Sequence, residues 1–203
     1  MNKLVIIGAG GHGKVIADIA EKNGYEDILF LDDSPEAKSC GGHKVAGKSI
    51  DASSYRGADF VVAIGNSETR RRIQLFLEEN GLRVVSLIHP SATVAPDVSV
   101  GAGTVVMAGA VVNPGVVIGR GCIVNTCSSV DHDCLVGNFV HISVGSHLAG
   151  TVTVGDDTLI GIGAVLVNNI KITDNVTVGA GAVVLCDISE CGIYVGSPVR
   201  KIR

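Results

Sequence analysis

From Ile88 onward every sixth residue is Ile, Val or Leu, seventeen times in succession, ending at Val184. No α-helix keeps such positions on one face, and a strand repeats every two residues. A period of six instead predicts a parallel β-helix of hexapeptides, each a short strand followed by a turn. One large aliphatic per hexapeptide points inward, and three hexapeptides close a triangular coil of eighteen residues. Stacked coils lie about 4.8 Å apart, so Val106, Val124, Ile142, Ile160 and Val178 are expected to form one internal ladder. Four residues after each aliphatic the side chain is usually small, as at Ala92, Thr104, Ala110, Cys122, Ser128, Cys134, Ser146, Ala164 and Ala182. Glycine often follows the aliphatic directly, as at Gly101, Gly119, Gly137, Gly155, Gly161 and Gly179. Narrow coils also account for an aromatic content of 3%, the absence of Trp and the 27 glycines.

Before Ile88 strand and helix alternate. Strands are expected at Lys3–Ile7, Asp27–Leu31, Phe60–Ile64 and Arg83–Leu87, with helices at His12–Asn23 and Glu68–Asn80. Ser67 is the N-cap candidate of the second helix, and Gly24 and Gly81 are suited to the helix ends. Short connections between such elements imply a small Rossmann-like parallel sheet. The expected organisation is therefore an α/β module over residues 1–87 and an all-β parallel β-helix over residues 88–203 with its C-terminal tail. The ladder is expected to end at Glu190, with "GIYVGSPVRKIR" leaving the prism.

The first strand runs into "GAGGHGK". Gly8, Gly10 and Gly13 satisfy G-x-G-x-x-G, and Asp32 lies nineteen residues beyond Gly13 at the end of "ILFLDD". That is the arrangement of a dinucleotide site. The same letters read as the start of a P-loop, but Val15 stands where Ser or Thr must hold magnesium. Bare N–H groups at a helix N-terminus attract an anion such as a phosphate. The glycines leave open which phosphate ligand sits there, or whether the turn binds nothing. A module of about eighty-five residues is too short for a full two-half dinucleotide fold, which weighs against NAD.

A formal charge of −4 does not favour nucleic acid or an anionic membrane. No apolar run reaches the twenty or so residues of a bilayer span, and no signal-peptide pattern opens the chain. Six cysteines without a C-x-x-C pair predict free buried thiols in a reducing cytoplasm and no zinc site.

With "GAGGHGK", "FLDD" and "AIGNSETR" before it, the hexapeptide run resembles the PglD-type UDP-amino-sugar N-acetyltransferases and the related NeuD-type sialic acid O-acetyltransferases. The resemblance covers nearly the whole chain, through "VGSP" and the basic residues after it. It implies a left-handed β-helix and a homotrimer with acetyl-coenzyme A bound between neighbouring prisms. The N-terminal module would hold the nucleotide of a UDP-amino-sugar, with Gly10, Gly11 and His12 near the phosphates, Asp32 and Asp33 at the nucleoside, and Gly65 and Asn66 at a neighbouring strand end.

The same resemblance makes His132 the general base and Asp133 the acid beside it; Gly150, which stacks one eighteen-residue coil from His132, is the candidate backbone donor to an oxyanion. Asn125 matches a position near the acceptor sugar, His141 a coenzyme A contact, and Gly161, Ile162 and Ala180 the pantetheine groove. Neither His132 nor His141 falls in the inward aliphatic slot, so both are available to a cleft. Neighbouring residues on a straight strand face opposite ways, so contact between His132 and Asp133 requires a turn. The expected reaction is direct attack of the sugar amine on the thioester, with no metal, in bacterial glycan biosynthesis. O-acetylation of sialic acid or another sugar is the nearest alternative. A non-catalytic sugar-nucleotide sensor would not need His132 and Asp133. An NAD-dependent oxidoreductase leaves the hexapeptide ladder without a purpose.

Overall fold

The structure, a computed structural model, describes residues 3–34 and 38–203. It divides into two compact units, Met1–Pro90 and Ser91–Arg203. In the first, β1 (Lys3–Ile7), β2 (Asp27–Leu31), β3 (Ser39–Cys40), β4 (His43–Gly47), β5 (Asp59–Val62) and β6 (Arg83–Val84) form one sheet in the order β3-β4-β2-β1-β5-β6. All neighbours are parallel except the β3–β4 pair. Helix α1 (Gly11–Lys22) buries Ile16, Ala17, Ile19 and Ala20, and α2 (Ser67–Glu79) buries Ile73 and Leu77. Val5, Ile7, Leu31, Phe60 and Val62 of the central strands share a core with Ile73 and Leu77 of α2.

Three details differ from the sequence expectations. β5 and β6 stop at Val62 and Val84, short of Ile64 and Leu87. β3 has two residues, too few for a periodic signal, and β4 (HKVAG) and the 3₁₀ turn Ser49–Tyr55 show no apolar alternation or helical stripe. The N-cap of α2 is Asn66 rather than Ser67: its Oδ1 accepts the Thr69 N–H at 2.9 Å. Gly24 and Gly81 follow the helices with φ of +85° and +68°, the left-handed geometry expected of a C-terminal break.

The second unit is a left-handed parallel β-helix. Its first face stacks Val105–Val106, Ile123–Val124, His141–Ile142, Leu159–Ile160 and Val176–Val178. The second stacks Thr93–Val94, Val111–Val112, Ser129–Val130, His147–Leu148, Val165–Leu166 and Val183–Val184. The third stacks Ser99–Val100, Val117–Ile118, Leu135–Val136, Thr153–Val154 and Lys171–Ile172. The last residue of each strand is the periodic aliphatic, and Val106, Val124, Ile142, Ile160 and Val178 are all 0% exposed. At the small inward position Thr104, Cys122, Ser128, Cys134 and Ser146 are buried too. Their hydroxyls and thiols donate to backbone carbonyls, as Thr104 does to Gly119 and Cys122 to Gly137, so the narrow core holds polar atoms without stranding them.

Chain reversal at the corners has its own period. Every sixth residue from Gly103 to Gly181 has φ between +54° and +75°, including Cys127, Asp133, Phe139, Thr151, Asp157, Asn169 and Asn175. The glycines that follow aliphatics serve a different purpose. A Cβ on Gly119 would lie 2.6 Å from the Gly137 carbonyl oxygen in the next coil, so they permit the coils to approach. The tail does not leave the prism at Glu190: Gly192–Val195 pairs parallel with Val176–Val178 and then turns into antiparallel Arg200–Lys201. Lys201 forms an ion pair with Glu190 at 2.8 Å. Of the six cysteines, Cys40, Cys122 and Cys134 are buried, but Cys127, Cys186 and Cys191 are exposed, because these three stand outside the inward slots. Among the described residues no helix is long and apolar enough to cross a membrane.

Candidate active site

Two regions concentrate the chemistry, one in each unit. In the first, a cleft of about 410 Å³ opens beside the ends of β1, β2 and β5 and is lined by Gly10, Gly11, His12, Asp32, Asp33 and Gly65. Its glycines divide by purpose. Gly8 has φ +109° and a Cβ there would meet the Ala63 oxygen at 2.8 Å; a Cβ on Gly13 would meet the Gly8 oxygen at 2.3 Å. Gly13 lets α1 pack against the end of β1, and Gly8 lets that end approach the chain after β5. A Cβ on Gly10, Gly11 or Gly65 would meet nothing within 4 Å, so these three keep open space rather than allow packing. Gly10 is also the N-cap of α1 and supplies no side-chain cap, which leaves the first N–H groups of the helix turned to the cleft's anion-attracting end.

The polar side chains are partly committed. Asp32 accepts the N–H groups of Ala9 at 2.6 Å and Ser34 at 2.7 Å, tying the glycine loop to the end of β2. Asp33 accepts the N–H and hydroxyl of Ser49. Asn66 caps α2 and does not line the cleft. The Nε2 of His12 is buried with no hydrogen-bond partner among the described residues. Burial, and then the Arg70 charge, push its pKa down to about 4, so the ring is neutral at pH 7. The buried Arg70 donates to the carbonyls of Ile64 and Gly65, holding the strand end that bears Gly65. The sequence reading missed Thr69, Arg72 and Ile73, which line the same cleft from α2. Their spacing of three and four residues marked one helix face.

The second region is the prism corner that follows the second face. After Val130 the chain turns at Asp131, His132 and Asp133, and Asp133 has φ +59°. That turn removes the strand alternation and lets two neighbouring side chains meet: Asp133 Oδ2 lies 2.8 Å from His132 Nδ1. The bond to Asp133, aided by the Asp131 charge, holds the His132 pKa above its ordinary value. With Nδ1–H given to a carboxylate, Nε2 carries the lone pair. A Cβ on Gly150 would lie 2.5 Å from that Nε2, so the bare glycine lets the ring rest over the backbone at this position. Gly150 gives its carbonyl to Asn169 N–H and the Thr151 hydroxyl, while its N–H has no acceptor among the described residues. Asp131 and Asn113 are neighbours of His132 that the sequence did not single out. Asp131 Oδ1 accepts Asn113 Nδ2 at 2.7 Å and the His132 N–H at 2.8 Å, fixing the backbone under the ring. Asn113 stands one coil before Asp131, a relation visible once the eighteen-residue stacking is known.

The remaining expected residues lie elsewhere on the prism. His141 is on the first face, 3.1 Å from Asn125 Nδ2 through its Nε2. Asn125, Gly161, Ile162 and Ala180 fall at the corner that follows that face, where Ile162 is 61% exposed. His132, Asp133 and Gly150 are thus together, and Asn125 and His141 are together. Within one prism the corner bearing His132 stands opposite the first face, which bears His141, and the corner bearing Asn125 lies at the other edge of the second face. Among the described residues no group of three or more His, Cys, Asp and Glu side chains could hold a metal ion.

Comparison with known proteins follows this division. Residues 3–75 match the PglD N-terminal domain and residues 151–186 match the bacterial transferase hexapeptide (six repeats). The acetyltransferase domain of PglB from Neisseria gonorrhoeae FA1090 is 43% identical, with all of both chains covered and a TM-score of 0.96. The same domain in complex with acetyl coenzyme A gives 44% and 0.95. PerB from Caulobacter crescentus, in complex with CoA and GDP-perosamine, is 34% identical over 99% of this chain and 97% of that one, with a TM-score of 0.94. The UDP-N-acetylbacillosamine N-acetyltransferase of Bacillus subtilis (strain 168) is 32% identical over 113 residues; the chain spans about half the length of this curated relative, 52%.

Proposed function

The chain belongs to the PglD-type family of hexapeptide-repeat sugar acetyltransferases, and from that premise we propose that it transfers the acetyl group of acetyl-coenzyme A to the amine of a UDP-4-amino-sugar. The observation that carries this reading is the His132 corner: an imidazole with its Nδ1 on Asp133 and its Nε2 over a bare glycine. The free amine of the sugar attacks the thioester carbonyl. Nε2 of His132 takes the proton the nitrogen loses as the C–N bond forms, and Asp133 stabilises the imidazolium. The Gly150 N–H meets the negative oxygen of the tetrahedral intermediate. Collapse of that intermediate expels coenzyme A as its thiolate, which the imidazolium can reprotonate.

The placement of the two residue groups at different corners of the prism supports a homotrimer. His132 and Asp133 of one copy would then face Asn125, His141, Gly161, Ile162 and Ala180 of its neighbour across a shared cleft that holds acetyl-coenzyme A. The cleft of the N-terminal unit takes the nucleotide, with phosphates against the N–H groups at Gly10 and Gly11 and the nucleoside toward Asp32 and Asp33. UDP is the nucleotide named for the B. subtilis relative, whereas PerB is complexed with GDP-perosamine.

The test is thiol release from acetyl-coenzyme A with UDP-, GDP- and dTDP-linked 4-amino-sugars, with sialic acid alongside. Fast release with a UDP-linked amine supports the full reading, and a GDP- or dTDP-linked amine corrects the nucleotide alone. Release only with sialic acid replaces amide formation by O-acetylation.

A further inference from the structure

Arg72 is the one side-chain cation at pH 7 that lines the N-terminal cleft among the described residues. His12, the other basic side chain there, is neutral because it is buried beside Arg70. Arg70 itself is spent on the carbonyls of Ile64 and Gly65. Arg72, in contrast, has no hydrogen bond or ion pair among the described residues, although Asp32 and Asp33 line the same cleft. Those carboxylates are committed to Ala9, Ser34 and Ser49. An exposed guanidinium is thus held available beside a glycine cradle in which Gly10, Gly11 and Gly65 leave space that no Cβ fills.

A nucleoside diphosphate brings two or more negative charges into a cleft that already contains two carboxylates. The N-terminus of α1 offsets part of that charge, and a guanidinium offers two parallel N–H groups matched to phosphate oxygens. We propose that Arg72 grips the diphosphate of the sugar nucleotide and makes the cleft select nucleotide-linked over free amino sugars. The inference rests on the reading that this cleft holds the nucleotide. Arg72 is thus a specificity residue, with no part in the acetyl transfer itself.

The experiment measures affinities of the full chain for UDP and for uridine, by competition against the sugar nucleotide, in wild type, Arg72→Ala and Arg72→Lys, with GDP and guanosine in parallel. Because Arg72 is exposed, neither change removes core packing. Removing a charge-assisted contact should weaken diphosphate binding about 10- to 100-fold in Arg72→Ala. Arg72→Lys should fall between, nucleoside binding should hold steady, and KM should rise for the sugar nucleotide alone. Wild-type diphosphate affinity in Arg72→Ala overturns the proposal and leaves the cleft reading standing. Equal losses for diphosphate and nucleoside also overturn it, by moving Arg72 to the nucleoside. A wild-type protein that binds no nucleoside diphosphate overturns the cleft reading itself, and Arg72's role with it.

Discussion

The His132 ring owes its chemistry to the residues on either side of it. Asp133 fixes the tautomer through Nδ1 and Asp131 anchors the backbone N–H. Replacing His132 by Ala should lower kcat by about 10²- to 10⁴-fold, the usual worth of a general base, while the KM for acetyl-coenzyme A stays close to wild type; a thiol-release assay checks both. The sign of the pH response follows from Asp133. Its bond favours imidazolium and raises the His132 pKa, whereas the proposed general base must be the neutral ring. The rate should therefore fall as pH drops through that raised pKa. In Asp133→Asn the pKa falls and the acidic limb of the kcat profile should move to lower pH, an effect no simple loss of folding would produce. His132 was legible from its place outside the inward slot together with the family resemblance. The contact with Asp133 was not, since a strand-based reading sends adjacent side chains apart. The left-handed φ of Asp133 settles the matter, and its place in the six-residue series of such residues was the overlooked signal.

At the scale of the element, the same residue type answers to different physics in the two units. Gly119→Ala forces a Cβ to within 2.6 Å of the Gly137 carbonyl oxygen and should cost about 1–3 kcal/mol through overpacking between coils, read as a lower denaturation midpoint. Gly10→Ala meets no atom within 4 Å and should leave that midpoint near wild type, yet raise the KM for the sugar nucleotide. Equal thermal losses in both would contradict the division of glycines into packing and cradle. The hexapeptide coil was legible because its aliphatic period never fails over seventeen repeats. The phase of the corners was obscured because non-glycine residues such as Phe139 and Thr151 adopt φ near +60°, a conformation local propensity opposes. In the first unit, β3 and β4 were invisible because β3 has two residues and β4, HKVAG, has no apolar alternation, so both depend on tertiary pairing rather than on pattern.

For the whole molecule the proposed function requires that residue groups at different corners of the prism meet one substrate. If copies share each site, His132→Ala and His141→Ala proteins should partly restore each other's activity when their subunits are mixed and exchanged. Assembly masses in solution should correspond to three chains. No recovery after proven exchange would place a complete site within one chain, against the geometry of the faces. Assembly was read from resemblance alone, since periodicity specifies a coil but says nothing of how coils meet. The central claim is amide formation on a nucleotide-linked sugar, and product analysis after incubation with acetyl-coenzyme A and a UDP-4-amino-sugar tests it most directly. The account expects an acetylated sugar nucleotide whose new group resists hydroxylamine, as an amide does. A hydroxylamine-labile ester, or an unchanged sugar nucleotide beside acetylated sialic acid, would contradict it.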